Sequence, residues 1–107
     1  MPTLQELERP IDEAIVNELI EATPQWWKVA ILEIEWHPQE NGVEGFQHRI
    51  LSPEGHNELV QASGQIHESS FRLADLFRKH GKQWLKVVYS VRQESSGEWK
   101  YSADFTY

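Results

Sequence analysis

Glu33 and Glu35 stand two residues apart in the run Ile31-Leu32-Glu33-Ile34-Glu35-Trp36-His37, a spacing that turns both carboxylates to one face of a β-strand. Two carboxyls so placed could share a proton, as the acid pair of a hydrolase does. At the open end of a strand the same spacing more simply makes a solvated acidic face. Other catalytic material is thin. His37, His48, His56, His67 and His80 are scattered, with neither the i, i+4 helical spacing nor the H-E-x-x-H pattern of metal ligation. There is no cysteine, which removes thiolate chemistry and disulfides. Ser63-Gly64 is not a G-x-S-x-G elbow. His67-Glu68-Ser69-Ser70 holds triad residue types, but adjacent residues do not face one another, and the serines read as helix caps. None of the six glycines belongs to a phosphate-binding loop. The expectation is a protein that is not an enzyme, with no cofactor and no metal.

Binding is the better-supported use of these residues. The 107 residues carry a net charge of −7, unevenly spread: −5 over residues 1–24, −4 over 25–60 and +2 over 61–107. Such a field repels nucleic acid and anionic membranes and steers a basic partner toward the first half of the chain. Arg72, Arg78, Lys79, Lys82 and Lys86 do cluster later, yet no RNP-like aromatic pattern accompanies them. A protein that inhibits a nuclease must fill a groove built for phosphates, and clustered carboxylates with aromatic anchors do so most simply. Glu33, Glu35, Trp36, Glu40 and Glu44, around the first expected hairpin, are candidate partner-binding residues of this kind, with Trp99 as a second possible anchor. The competing reading of each is structural: Trp36 in the core, the acids solvating a sheet.

The elements that would position these residues are legible in the periodicity. Thr3 and Glu6 form a capping box, and Leu4, Leu7, Ile11, Ile15, Leu19 and Ala22 recur at steps of three and four. Pro10 should kink this helix or begin it, and Thr23-Pro24 should end it. Trp27 to His37 reads as a central strand, with Trp26, Ala30, Leu32, Ile34 and Trp36 on one face and Trp27, Val29, Ile31, Glu33 and Glu35 on the other. Asn41-Gly42 offers a tight turn into a second strand, Val43 to Leu51. If Pro38 pairs near Val43, His37 faces Glu44 and His48 faces Glu33. Leu59-Val60 could add a short strand. A second helix spans Ser69 to His80, with Gly81 beyond its end. Strands over Trp84 to Arg92 and Glu98 to Tyr107 complete the chain. The order implies a single α+β domain: an antiparallel, meandering sheet of four to five strands with two helices on one face.

Three stretches carry a family resemblance. They are Glu21-Ala22-Thr23-Pro24-Gln25-Trp26-Trp27-Lys28-Val29, Gly81-Lys82-Gln83-Trp84, and Gly97-Glu98-Trp99-Lys100-Tyr101 leading to Asp104-Phe105-Thr106-Tyr107. With these landmarks the whole chain resembles the YezG-like family of bacterial immunity proteins, which neutralise toxins delivered to neighbouring cells. Either Trp of the Trp26-Trp27 pair can be the first landmark. The resemblance implies a non-enzymatic antitoxin that binds the C-terminal effector domain of a cognate toxin, expected to be a nuclease, and blocks it; it assigns no partner residues. Alternatives are a small acidic interaction or regulatory subunit without a toxin, and a small hydrolase using Glu33 and Glu35. The first nine residues are polar and acidic where a signal peptide needs an apolar run, so a cytoplasmic location is expected.

Overall fold

A computed structural model of the chain describes residues 2–38 and 44–107. Glu40 and the expected Asn41-Gly42 turn lie outside them, as does the side chain of Glu44. The described chain is α+β, in the order α1 (Leu4–Ala22), β1 (Val29–Pro38), β2 (Glu44–Leu51), α2 (Gly64–Lys79), β3 (Lys86–Gln93) and β4 (Trp99–Thr106). The four strands form one antiparallel sheet in the spatial order β2-β1-β3-β4. Two hairpins therefore lie side by side, and α2 carries the chain from the β2 edge back to the far side of β1. Leu59-Val60 adds no strand.

Thr3 caps α1 as its sequence suggests, its hydroxyl accepting from the Glu6 N–H at 3.1 Å. Pro10 does not begin the helix; α1 runs through it from Leu4. The helix ends at Thr23, which is extended ahead of Pro24. Ile11, Ile15, Val16 and Leu19 form its buried stripe.

The second helix starts five residues earlier than the periodicity suggested. Ser63 is its cap, accepting from the Ile66 N–H at 3.2 Å and donating to Glu18 of α1 at 3.1 Å. Ser69 and Ser70 are interior positions on the buried face with Ile66, Leu73, Ala74 and Phe77. Small hydroxyl residues look like caps in a sequence, but Ser70 satisfies itself mid-helix by donating to the Ile66 carbonyl at 2.9 Å. Ser63→Ala is expected to cost about 1 kcal/mol of stability, measurable by urea unfolding, whereas Ser70→Ala should leave the helix start intact. At the other end Gly81 takes φ 75°, and the Lys82 N–H reaches back to the Phe77 carbonyl at 2.9 Å, a cap that only glycine adopts without strain.

The helices cover one face of the sheet. That face carries Ala30, Leu32 and Ile34 of β1, Val87, Tyr89 and Val91 of β3, and the partly buried Phe46, Ile50, Trp99, Ala103 and Phe105. Trp27 and Trp84, both outside the strands, close its ends. Neither described helix packs against the opposite face. There Val29, Ile31, Val88 and Leu51 sit among Glu33, Arg49, Lys86, Arg92, Lys100 and Asp104. No described helix is long and apolar enough to cross a membrane.

Candidate functional site

Glu33 and Glu35 do share the uncovered sheet face, but Glu33 has two cations beside it and Glu35 a histidine. Glu33 is half-buried between Arg49, at 3.8 Å, and Lys86, at 3.9 Å, its neighbours on β2 and β3. Glu35 is more exposed and lies 3.8 Å from His37. A proton-sharing pair needs carboxylates that face one another without such partners, so the arrangement works against the hydrolase reading. It also leaves Glu33 less available to a basic ligand than its sequence suggested.

The aromatic candidates go elsewhere. Trp36 and Trp99 are on the helix-covered face, partly buried against the core. Trp36 is near the end of β1 and Trp99 opens β4, at the opposite end of the sheet. Trp36 does not stand with Glu33 and Glu35 because alternate positions of β1 point to opposite faces, and the register of β4 on β3 puts Trp99 on the covered side with Tyr89 and Val91. Glu44 opens β2, its backbone opposite Pro38. That register differs by one residue from the expected pairing. His37 lies opposite Gly45 and His48 opposite Ile34. A one-residue slip moves every side chain of a strand to the other face, and here it brings Phe46, His48 and Ile50 to the core side, against Trp36, Ile34 and Leu32.

His48 thereby meets residues of α2 that no sequence spacing connected to it. Its Nε2 is 2.8 Å from Ser70 Oγ, and its ring lies 4.1 Å from that of His67. Ser70 donates its only proton to the Ile66 carbonyl, so His48 Nε2–H is the donor and the serine oxygen the acceptor. Ser70 is fully buried and its hydroxyl is committed, so this pair stabilises the β2–α2 contact and is not set up for nucleophilic attack. His48 Nδ1 is left buried without a hydrogen-bond partner. Burial, and then the neighbouring His67, push the His48 pKa down to about 4, which keeps the ring neutral. Among the described residues no group of three His, Asp or Glu could hold a metal ion.

A second titratable cluster joins α1 to the sheet. The Tyr89 hydroxyl donates to buried Asp12 at 2.5 Å. Glu8, one turn earlier, is hydrogen-bonded to Asp12, and burial, that bond and the Asp12 charge push its carboxyl up to about 8. Glu8 therefore keeps its proton at pH values where an ordinary carboxyl has lost it.

An exposed Trp lies at the junction of α1 and β1. The expected faces of Trp26 and Trp27 are exchanged there. The Trp27 N–H bonds to the Pro24 carbonyl at 3.0 Å, so the chain turns before β1 begins at Val29, and strand alternation does not extend back to the two indoles. Trp27 is buried, its ring stacked on His56 with centroids 5.6 Å apart. Trp26 is 58% exposed. The loop between β2 and α2 is tied across this corner: Glu54 accepts from the Lys28 N–H at 3.0 Å, and Glu58 accepts from the Trp26 and Trp27 indole N–H groups at 2.7 and 3.4 Å. Its own backbone N–H, then the Trp26 indole, hold the Glu58 carboxyl below the usual carboxylate range. Beside it Leu59 is 98% exposed. The result is a Trp orientated by Glu58, with the uncovered Leu59 next in the chain to that carboxylate and Glu54 tied to the backbone of Lys28. The chain matches no protein-family model, and no curated protein matches it.

Proposed function

We propose that this protein is an immunity protein: it binds the C-terminal effector domain of a bacterial toxin, a nuclease, and blocks it by occupancy. The observation that carries this reading is the Trp26–Leu59 corner. A Trp fixed by a carboxylate at 2.7 Å has little side-chain entropy left to lose on binding. Exposed Trp is the residue type most enriched among energetic anchors of protein interfaces. The acids beside it, in a chain of net charge −7, suit a basic partner surface such as a phosphate-binding cleft. The landmarks shared with YezG-like immunity proteins point the same way. Glu33, Glu35, Glu40 and Glu44 form a second, acidic contact region in this proposal, with Glu35 the freer of the two carboxylates on β1.

The test begins with the effector domain encoded by the reading frame next to this one. Co-expression should protect cells from that domain, and the two proteins should purify together. Exchanging Glu33, Glu35, Glu40 and Glu44 together for Gln should weaken binding and flatten its dependence on salt. If the protein neither protects cells nor binds the neighbouring effector, the immunity reading falls. If it binds but the Gln variant keeps full affinity and salt dependence, the first hairpin is not the contact.

A further inference from the structure

We propose that this protein forms a two-fold symmetric dimer in which β4 pairs with β4 of a second copy, joining two four-stranded sheets into one. β4 is the last strand of the sheet, and among the described residues no strand pairs with its outer edge. The Glu94 N–H bonds to the Glu98 carbonyl and the Leu85 N–H to the Thr106 carbonyl, so even-numbered residues of this strand turn their backbone groups toward β3. The N–H and C=O groups of Trp99, Tyr101, Ala103 and Phe105 therefore face outward. Such an edge is a template for another strand.

The strand is self-complementary in the one register centred on Ser102. Antiparallel pairing there sets Trp99 opposite Phe105 and Tyr101 opposite Ala103. All four are residues with outward backbone groups, as hydrogen-bonded pairs require. It also sets Lys100 opposite Asp104, twice by symmetry, in the closer non-hydrogen-bonded positions on the uncovered face. Within one copy Lys100 lies beside Arg92 and Asp104 beside Val88, and among the described residues neither forms an ion pair. Centring the pairing one position away, on Ala103, would instead place Lys100 against Thr106 and Asp104 against Ser102. Two of the large exposed apolar side chains lie on or beside this strand, Tyr101 at 38% and Tyr107 at 59%. A second copy is thus the partner whose charges, aromatics and backbone phase all fit at once, the isologous contact of a closed dimer.

Analytical ultracentrifugation over a range of concentrations tests this. The unaltered protein should sediment as a monomer–dimer equilibrium. Lys100→Asp and Asp104→Lys, each alone, place like charges opposite one another twice and should raise the dimer dissociation constant by about tenfold. Mixing the two variants should restore dimers, because one copy then presents two acids and the other two lysines. That rescue cannot come from a change in monomer folding. Ala103→Pro removes an outward N–H without touching the bonds to β3, and should abolish the dimer with an unchanged circular dichroism spectrum. A protein that stays monomeric throughout, or a dimer indifferent to the charge exchanges, would overturn the proposal.

Discussion

Trp27→Ala is expected to lower the unfolding free energy by about 3–5 kcal/mol, while Trp26→Ala, one residue away, should change it by less than about 1 kcal/mol. The buried indole of Trp27 packs on His56 and closes the end of the core. Its loss leaves a cavity and frees the loop that Glu58 and His56 tie down. Trp26 gives up one solvent-exposed hydrogen bond to Glu58. The order reverses for binding: Trp26→Ala, in a protein that still folds, is expected to weaken the effector complex by about 2 kcal/mol or more, a loss of some thirtyfold or greater. Urea unfolding and calorimetric titration of the two variants separate the effects. Equal destabilisation by both would contradict the exchange of faces, and unaltered binding by Trp26→Ala would remove the anchor.

Stability is expected to fall between pH 6.5 and pH 8 and to stay nearly level between pH 4.5 and pH 6.5, from the opposed behaviour of Glu8 and His48. The Glu8 carboxyl is raised from 4.5 to about 8. Between those values the native chain holds a proton that the unfolded chain has released, so stability declines as pH rises. His48 is lowered from 6.5 to about 4. In that range the unfolded chain takes up a proton that the native ring refuses, so stability rises with pH. The slopes oppose one another where the windows overlap; above pH 6.5 only that of Glu8 remains. Glu8→Gln keeps a donor for Asp12 without the titration. Its thermal midpoint should rise between pH 4.5 and pH 6.5 and then level off. A Glu8→Gln midpoint that still drops toward pH 8 as in the unaltered protein would assign the decline to another group.

Much of the architecture could be read directly. The two helices, the strands and the α+β class follow from apolar period, caps and turn residues, which act over a few neighbouring positions. Thr3, Thr23-Pro24 and Gly81 were legible as punctuation because each acts on its own backbone. The start of α2 was not, because Ser69 and Ser70 carry the chemistry of caps and their burial depends on what packs above them. The interior chemistry was less visible still. Glu8 and Asp12 had the spacing of one helix face, but nothing local announced that Tyr89, 77 residues beyond Asp12, would donate to that face.

The sequence by itself determined the element order, the acidic balance, the absence of thiol chemistry and the fact that Glu33 and Glu35 share a strand face. Tertiary structure alone decided which surfaces those residues make. The β1–β2 register sent His48 inward to Ser70, since a single step of pairing exchanges the faces of a strand. The turn after Pro24 buried Trp27 and exposed Trp26. Cross-strand neighbours gave Glu33 two cations, and strand order left β4 at an open edge. Periodicity says which side chains point the same way. Only the packing of distant segments says what stands opposite them.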